Sequence, residues 1–123
     1  MPEYSIFEKV SICADNFSGQ ELPAAELVKW IILEFPGTNA SNIILSDYCY
    51  NIINHSLRPE KYRFEYIQKN GQDFYKCLGK KYPYTGKAVW KEKGVKLSQL
   101  KTVGEWTDGK FQLAKECTGL FKV

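Results

Sequence analysis

The sequence predicts a single α+β domain, with helices first and a small antiparallel β-sheet second. Apolar residues recur every three or four positions up to residue 35, and they alternate with polar residues after Pro59. An Asn-Gly pair at positions 70 and 71 lies between two alternating runs, which is typical of a β-hairpin. A chain of 123 residues buries about two-thirds of its unfolded surface, so it forms a core without disulfides or metals. We therefore expect one domain over residues 1–123.

The first two helices have clear local signals. Apolar spacing predicts a helix over Tyr4–Phe17. A second helix is predicted over Pro23–Phe35, because proline is favoured at a helix start and Glu26 lies near the positive end of the helix dipole. Pro36 and Gly37 end it, since proline cannot continue the hydrogen-bond ladder and glycine permits a left-handed turn.

Two further capped helices complete a helix-turn-helix-like order. Asn39 or Ser41 can cap a short helix, and Ser46 or Asp47 can cap another that runs to about Ser56. The outward face of that last helix would carry Tyr50, Asn51, Asn54 and His55. Asparagine and tyrosine on an exposed helix are suited to contacts with base edges or phosphates. In the alternative interpretation, the two asparagines only hold neighbouring turns.

A two-stranded wing follows the helices. Tyr62–Ile67 and Phe74–Leu78 alternate as strands, and Lys69–Gln72 forms the hairpin turn between them. Lys69 and Lys76 would contact a phosphate backbone from this wing. Residues 20–78 are thus expected to be winged-helix-like, with residues 79–123 as a β extension.

The extension is rich in aromatic and lysine residues. Residues 88–91 predict a strand, and residues 103–106 and 111–113 predict a hairpin. Four rings could form a platform for a stacked base, ringed by lysines; they are Tyr82, Tyr84, Trp90 and Trp106, with Lys80, Lys81, Lys87 and Lys91 around them. The alternative is a compact β core, which is favoured for the two tryptophans and left open for the two tyrosines.

The charge is unevenly distributed. Residues 1–57 carry two lysines against seven acidic residues, and residues 58–123 carry fifteen basic against seven acidic residues, so the halves have net charges of −5 and +8. A basic half indicates a polyanionic partner such as nucleic acid or a nucleotide. A solvated lysine-rich face, or attraction between halves of two copies in a homodimer, would also fit.

Three motifs stand at Pro36–Asn39, Asp47–Asn51 and Tyr82–Gly86. With them, residues 20–110 resemble the small winged-helix-like domains attached to restriction endonucleases and other bacterial or phage defence-related proteins. The resemblance implies recognition of nucleic acid or a nucleotide-like ligand, and it transfers no catalytic residue.

Signals for other chemistry are weak. Cys13, Cys49, Cys77 and Cys117 are widely spaced and the chain has a single histidine, so we expect buried free thiols and no metal site. Gly79–Lys87 lacks the spacing of a phosphate-binding Walker loop. No run of about 20 apolar residues and no signal peptide is evident, which predicts a cytoplasmic protein without a membrane span.

Three functions therefore remain as hypotheses. The first is a non-catalytic nucleic-acid-binding module without a cofactor. The second is a protein that binds a nucleotide or small signal molecule. The third is a module that binds or inhibits a protein partner.

Overall fold

The computed structural model describes residues 3–53, 57–92 and 95–114. Over these ranges the two α-helices lie in the N-terminal part, with a short strand between them, and the other strands of two β-sheets follow, which confirms the α+β class. The helices are α1 (Ile6–Asn16) and α2 (Ala24–Glu34). The strands are β1 (Glu21–Pro23), β2 (Ile52–Ile53), β3 (Phe64–Lys69), β4 (Gln72–Cys77), β5 (Gly86–Trp90), β6 (Thr102–Thr107) and β7 (Lys110–Leu113).

Both predicted N-terminal helices are confirmed. The Ser5 hydroxyl accepts a hydrogen bond from the Glu8 N–H at 3.1 Å, and the Glu8 carboxylate accepts one from the Ser5 N–H at 2.9 Å. This reciprocal capping box fixes the start of α1, and it holds the pKa of the Glu8 carboxyl below its usual value. α2 begins directly after Pro23, the last residue of β1.

The first sheet is antiparallel, with the strand order β1-β4-β3. The predicted wing is its β3–β4 hairpin. Asn70 and Gly71 form the turn with φ angles of 50° and 77°, which are the positive values that a tight hairpin turn requires.

The second sheet is mixed, with the order β2-β5-β6-β7 and β2 parallel to β5. The predicted strand at 88–91 and the hairpin formed by 103–106 and 111–113 are confirmed as parts of β5, β6 and β7. Gly104 on β6 allows the ring of Phe111 on β7 to approach the backbone closely, because a Cβ there would be 2.3 Å from the nearest ring atom.

The helix predicted from Ser46 to about Ser56 is wrong. A short 3₁₀ turn, Leu45–Tyr48, precedes an extended segment, 48–53, that pairs with both sheets. The Tyr50 N–H donates to the Phe64 carbonyl at 2.9 Å, and the Asn51 carbonyl accepts from the Val89 N–H at 3.0 Å. Such pairing suits a run of aromatic and β-branched residues, and a segment buried on both faces has no periodicity that separates helix from strand.

Each sheet has its own core. α1 and α2 pack on the first sheet around Val10, Leu27, Ile31 and Phe64. The second core lies around Tyr50, Ile53, Tyr62, Tyr84, Ala88, Val103 and Trp106. Buried free thiols are confirmed for Cys13, Cys49 and Cys77, and Cys117 lies outside the described residues.

We expect Gly104→Ala to destabilise the domain by about 1–3 kcal/mol, since the added methyl would overlap the Phe111 ring and the Gln112 carbonyl oxygen. Urea unfolding followed by tryptophan fluorescence measures the change. Glu105→Ala, on the same strand with an exposed side chain, is the matched control and should shift stability by less than about 0.5 kcal/mol. Equal stability of Gly104→Ala and wild type would contradict this packing.

The three buried thiols should be inert in the native state. Burial raises the pKa of Cys77 to about 11 and that of Cys13 to about 12, and the thiolate is the reactive form. In a Cys117→Ser background, we expect a disulfide reagent at pH 8 to label no thiol before unfolding and three after it. Fast labelling of the native protein would contradict the burial.

The same burial makes stability depend on pH. Because the Cys77 pKa lies above its unfolded value of 9.0, its contribution to the free energy of unfolding is complete below pH 9 and is lost as the pH rises toward 11.

Candidate functional site

A cavity of about 370 Å³ opens beside the β4–β5 loop, between the 59–63 segment and the β6–β7 turn. We call it the Arg63 pocket. Its lining combines cationic, aromatic and acidic side chains with turn residues: Arg63, Lys80 and Lys81; Tyr50, Tyr82 and Trp106; Glu60 and Asp108; and Pro59, Pro83 and Gly109. It therefore brings together five of the residues singled out from the sequence: Tyr50, Lys80, Lys81, Tyr82 and Trp106.

Hydrogen bonds hold the β4–β5 loop in place at the mouth of the pocket. The Arg63 carbonyl accepts from the N–H groups of Leu78 and Gly79, at 2.8 and 3.0 Å. The Tyr50 hydroxyl donates to the Gly79 carbonyl at 2.9 Å and accepts from the Tyr82 N–H at 3.1 Å. Both ends of the segment 79–82 are thus anchored to buried residues, so its position does not depend on a ligand.

The side chains between those anchors face solvent. Lys80 and Lys81 are exposed, and neither forms an ion pair with a carboxylate of the described residues. Lys81 has a φ of 55°, a left-handed turn that a non-glycine residue adopts at some cost. Tyr82 is 39% exposed, and its ring centre lies 6.4 Å from that of Tyr50. The loop therefore offers two cations and one aromatic face.

Arg63 is a buried cation in the pocket wall, only 5% exposed. Its Nε donates to the Ser11 hydroxyl at 3.0 Å, and its Nη1 donates to the carbonyls of Glu60 and Tyr62, each at 2.9 Å. The guanidinium also lies 4.9 Å from the centre of the Phe7 ring. Burial lowers the pKa of Arg63 from its ordinary value, since a desolvated charge is disfavoured. No local sequence signal marks this residue, because its contacts come from α1 and from the chain before β3.

Tyr50 is the centre of an aromatic cluster in the second core, so the outward orientation predicted for it is wrong. The Tyr84 ring stacks on it at 5.4 Å, and Trp106 meets it edge-on at 5.5 Å. The Trp106 indole N–H also donates to the Tyr50 carbonyl at 2.6 Å. Trp90 is half-buried and packs against the same core. Of the four rings of the predicted platform, Tyr82 is the exposed one, and the core interpretation applies to the other three.

Asn51 has a structural role, but it holds strand β3 and not a neighbouring turn. Its Nδ2 donates to the Tyr66 carbonyl and its Oδ1 accepts from the Tyr66 N–H, both at 2.8 Å. The Asn51 side-chain amide therefore pairs with the backbone of Tyr66 as a neighbouring strand would, and both of its polar atoms are engaged in these bonds. Asn54, the other predicted contact, lies outside the described residues.

The lysines predicted on the wing lie among acidic residues. Lys69 forms an ion pair with Glu21, and its ammonium group lies 5.5 Å from the centre of the Phe74 ring. Lys76 is opposite Glu21 on β1 and opposite Glu65 on β3. Side chains opposite each other in a sheet share one face, so these charges largely offset each other.

Lys87 lies on β5 of the second sheet and does not line the Arg63 pocket. It is opposite Glu105 on β6, which balances its charge. Among the described residues, no group of three or more histidine, cysteine or acidic side chains could hold a metal ion. None of the described helices is long and apolar enough to cross a membrane.

Removal of the Tyr50 hydroxyl should loosen the loop. In Tyr50→Phe, the Gly79 carbonyl and the Tyr82 N–H lose their partner, which we expect to cost about 1–3 kcal/mol of stability and to accelerate hydrogen exchange at the Tyr82 amide. Urea unfolding and amide exchange by NMR measure the two effects. Tyr75→Phe is the control, since Tyr75 is a largely buried residue whose hydroxyl bonds to no described residue. Unchanged exchange at Tyr82 would contradict the anchoring role.

Comparison of the sequence with known proteins identifies a similar protein and a matching family. The protein is similar to the "Uncharacterized protein YnaC" of Bacillus subtilis (strain 168), with 38% identity over 105 residues. The match covers 85% of this chain and 38% of the relative, so the chain spans well under half of that protein's length. No solved structure matches significantly. The family model described as "Domain of unknown function (DUF7225)" matches residues 5–113, and the chain belongs to that family.

Proposed function

We propose that the protein is a non-catalytic module that binds single-stranded nucleic acid through the β4–β5 loop. Lys80 and Lys81 contact phosphates, and the exposed face of Tyr82 stacks on a base. One observation carries the proposal: two cations and an aromatic ring project from a loop that is already fixed at the mouth of a pocket whose lining includes Arg63. A preorganised loop binds without first losing conformational freedom, which favours affinity.

Single strands suit this surface better than duplex DNA. The extended segment 48–53 occupies the position where a recognition helix was expected, so the described residues offer no helix there for the major groove. A ring such as Tyr82 stacks only on a base whose face is free, as in single strands and loops. The lysine pair then follows the adjacent backbone.

A free nucleotide is the second candidate ligand. The Arg63 pocket has a volume of about 370 Å³, which falls in the range of small-molecule sites, about 300–1,000 Å³. Tyr50 and Trp106 supply apolar walls, and Arg63 supplies a cation. Binding there would change the fluorescence of Trp106.

The cellular setting is also part of the proposal. Three buried free thiols favour the reducing cytoplasm. The motifs at Pro36–Asn39, Asp47–Asn51 and Tyr82–Gly86 support a role linked to bacterial or phage defence, through their resemblance to defence-associated domains.

Salt dependence of binding tests the proposal. We expect labelled single-stranded DNA to bind with an affinity that falls about tenfold or more between ~50 and ~200 mM salt, and to bind more tightly than duplex. In Lys80→Ala/Lys81→Ala, two phosphate contacts are removed, so the slope of log affinity against log salt should become shallower by about 1.4. Fluorescence anisotropy measures both quantities.

The matched control is Lys29→Ala/Lys101→Ala, which removes two exposed lysines outside the pocket and should leave the slope nearly unchanged. Equal losses in the two double variants would contradict a localised site. If no DNA or RNA binds but one nucleotide quenches tryptophan fluorescence, the second candidate replaces the first. Absence of both signals would refute both and leave a protein partner as the remaining hypothesis.

A further inference from the structure

The guanidinium of Arg63 has unused hydrogen-bonding capacity. Three of its five N–H groups have acceptors, which are the Ser11 hydroxyl and the carbonyls of Glu60 and Tyr62. The two N–H groups on Nη2 have no acceptor among the described residues. No enclosed side-chain nitrogen or oxygen in the described part lacks a partner, so Nη2 keeps some exposure to solvent, and Arg63 is one of the residues that line the pocket.

The charge of Arg63 has no direct ion-pair partner in the described part of the chain. Its hydrogen-bond and ring partners are neutral: one hydroxyl, two carbonyls and the Phe7 ring. Asp15 is the carboxylate that acts on it electrostatically. No described carboxylate forms an ion pair with it. The acidic residues that line the same cavity, Glu60 and Asp108, are exposed and solvated. Proteins rarely bury an arginine without a counter-ion, because desolvation of the charge is costly.

We propose that the Arg63 pocket binds a phosphate monoester, at the end of a nucleic-acid strand or on a free nucleotide. The inference rests on the proposed function and specifies the part of the ligand that enters the cavity. Nη2 of Arg63 donates two charge-assisted hydrogen bonds to the phosphate, and Lys80 and Lys81 neutralise its remaining charge from the rim. Tyr82 then stacks on the attached base.

A monoester fits the site better than the internal phosphates of a strand. An internal phosphodiester has sugars on both sides, so the strand would have to enter and leave the cavity to reach a cation that is 5% exposed. A terminal phosphate has one substituent and three free oxygens, and it carries a charge near −2 at neutral pH. It can reach the wall while the rest of the ligand stays at the mouth.

Paired probes test the proposal on the wild-type protein. Single-stranded oligonucleotides of one sequence are compared with a 5′-phosphate, a 3′-phosphate or hydroxyls at both ends, and nucleoside monophosphates are compared with the nucleosides. We expect at least one monoester to bind about tenfold or more tightly than its hydroxyl counterpart. The phosphate gains two charge-assisted hydrogen bonds, and the cost of its desolvation offsets part of that gain. Inorganic phosphate should compete with that monoester.

Variants assign the preference to Arg63. Arg63→Gln should reduce the ratio between phosphorylated and hydroxyl probes to near one. Arg58→Gln is the matched control, an exposed arginine outside the cavity lining, and should keep the ratio. If Arg63→Gln does not fold, Ser11→Ala removes the acceptor that orients Nε and should reduce the ratio several-fold.

The outcomes separate this proposal from the proposed function. If all oligonucleotides bind equally and with the same salt dependence, the nucleic-acid module stands and the terminal-phosphate site is refuted. If a monophosphate binds but oligonucleotides do not, the phosphate site is supported with a free nucleotide as its ligand. If neither class binds at ~50 mM salt, both proposals are refuted. A phosphate preference that survives Arg63→Gln in folded protein would overturn the assignment to Arg63.

Discussion

The extended segment 48–53 is the constraint on which the rest of the structure depends. Its first residues pair with the chain around Phe64 in the first sheet, and its last residues pair with β5 in the second. Cys49, Ile52 and Ile53 fill both cores from one short stretch of backbone. Neither sheet can form its complete set of hydrogen bonds without this segment, so we expect the two cores to unfold as one cooperative unit.

The candidate site is a product of that junction. Tyr50 belongs to the segment, and its hydroxyl fixes the β4–β5 loop, while Arg63 lies where the chain enters the first sheet. The lysines therefore project from a loop whose anchors are core residues. The proposed binding would need little movement of the loop, because its exposed groups are already held in place beside a cavity that Arg63 helps to line. A rigid support of this kind is what a binding site on a loop requires.

Local signals in the sequence were enough to predict much of the fold. α1, α2 and both hairpins were predicted because periodicity, proline and turn residues act within a few positions of one another. The segment 48–53 was misassigned because its partners lie more than ten residues away and both of its faces are buried. Lys80, Lys81 and Tyr82 were found as candidate residues from their composition. Asn51 and Arg63 could not be assigned, since their roles depend on Tyr66 and Ser11, which only the tertiary fold brings close.

Arg63 forms hydrogen bonds with three separate parts of the chain: the segment 48–53, the β4–β5 loop and α1. Its backbone N–H donates to the Tyr48 carbonyl at 2.6 Å, and its own carbonyl accepts from the first N–H groups of the β4–β5 loop. Its side chain donates to the Ser11 hydroxyl on α1. An anion in the cavity would thus neutralise a charge that helix, junction and loop all surround. Occupancy and folding become thermodynamically linked, and a ligand at a hundred times its dissociation constant would add about 2.7 kcal/mol to the stability of the whole domain. On the proposed function, the ligand-free domain would then be the less stable form, and its stability would rise with the concentration of the ligand.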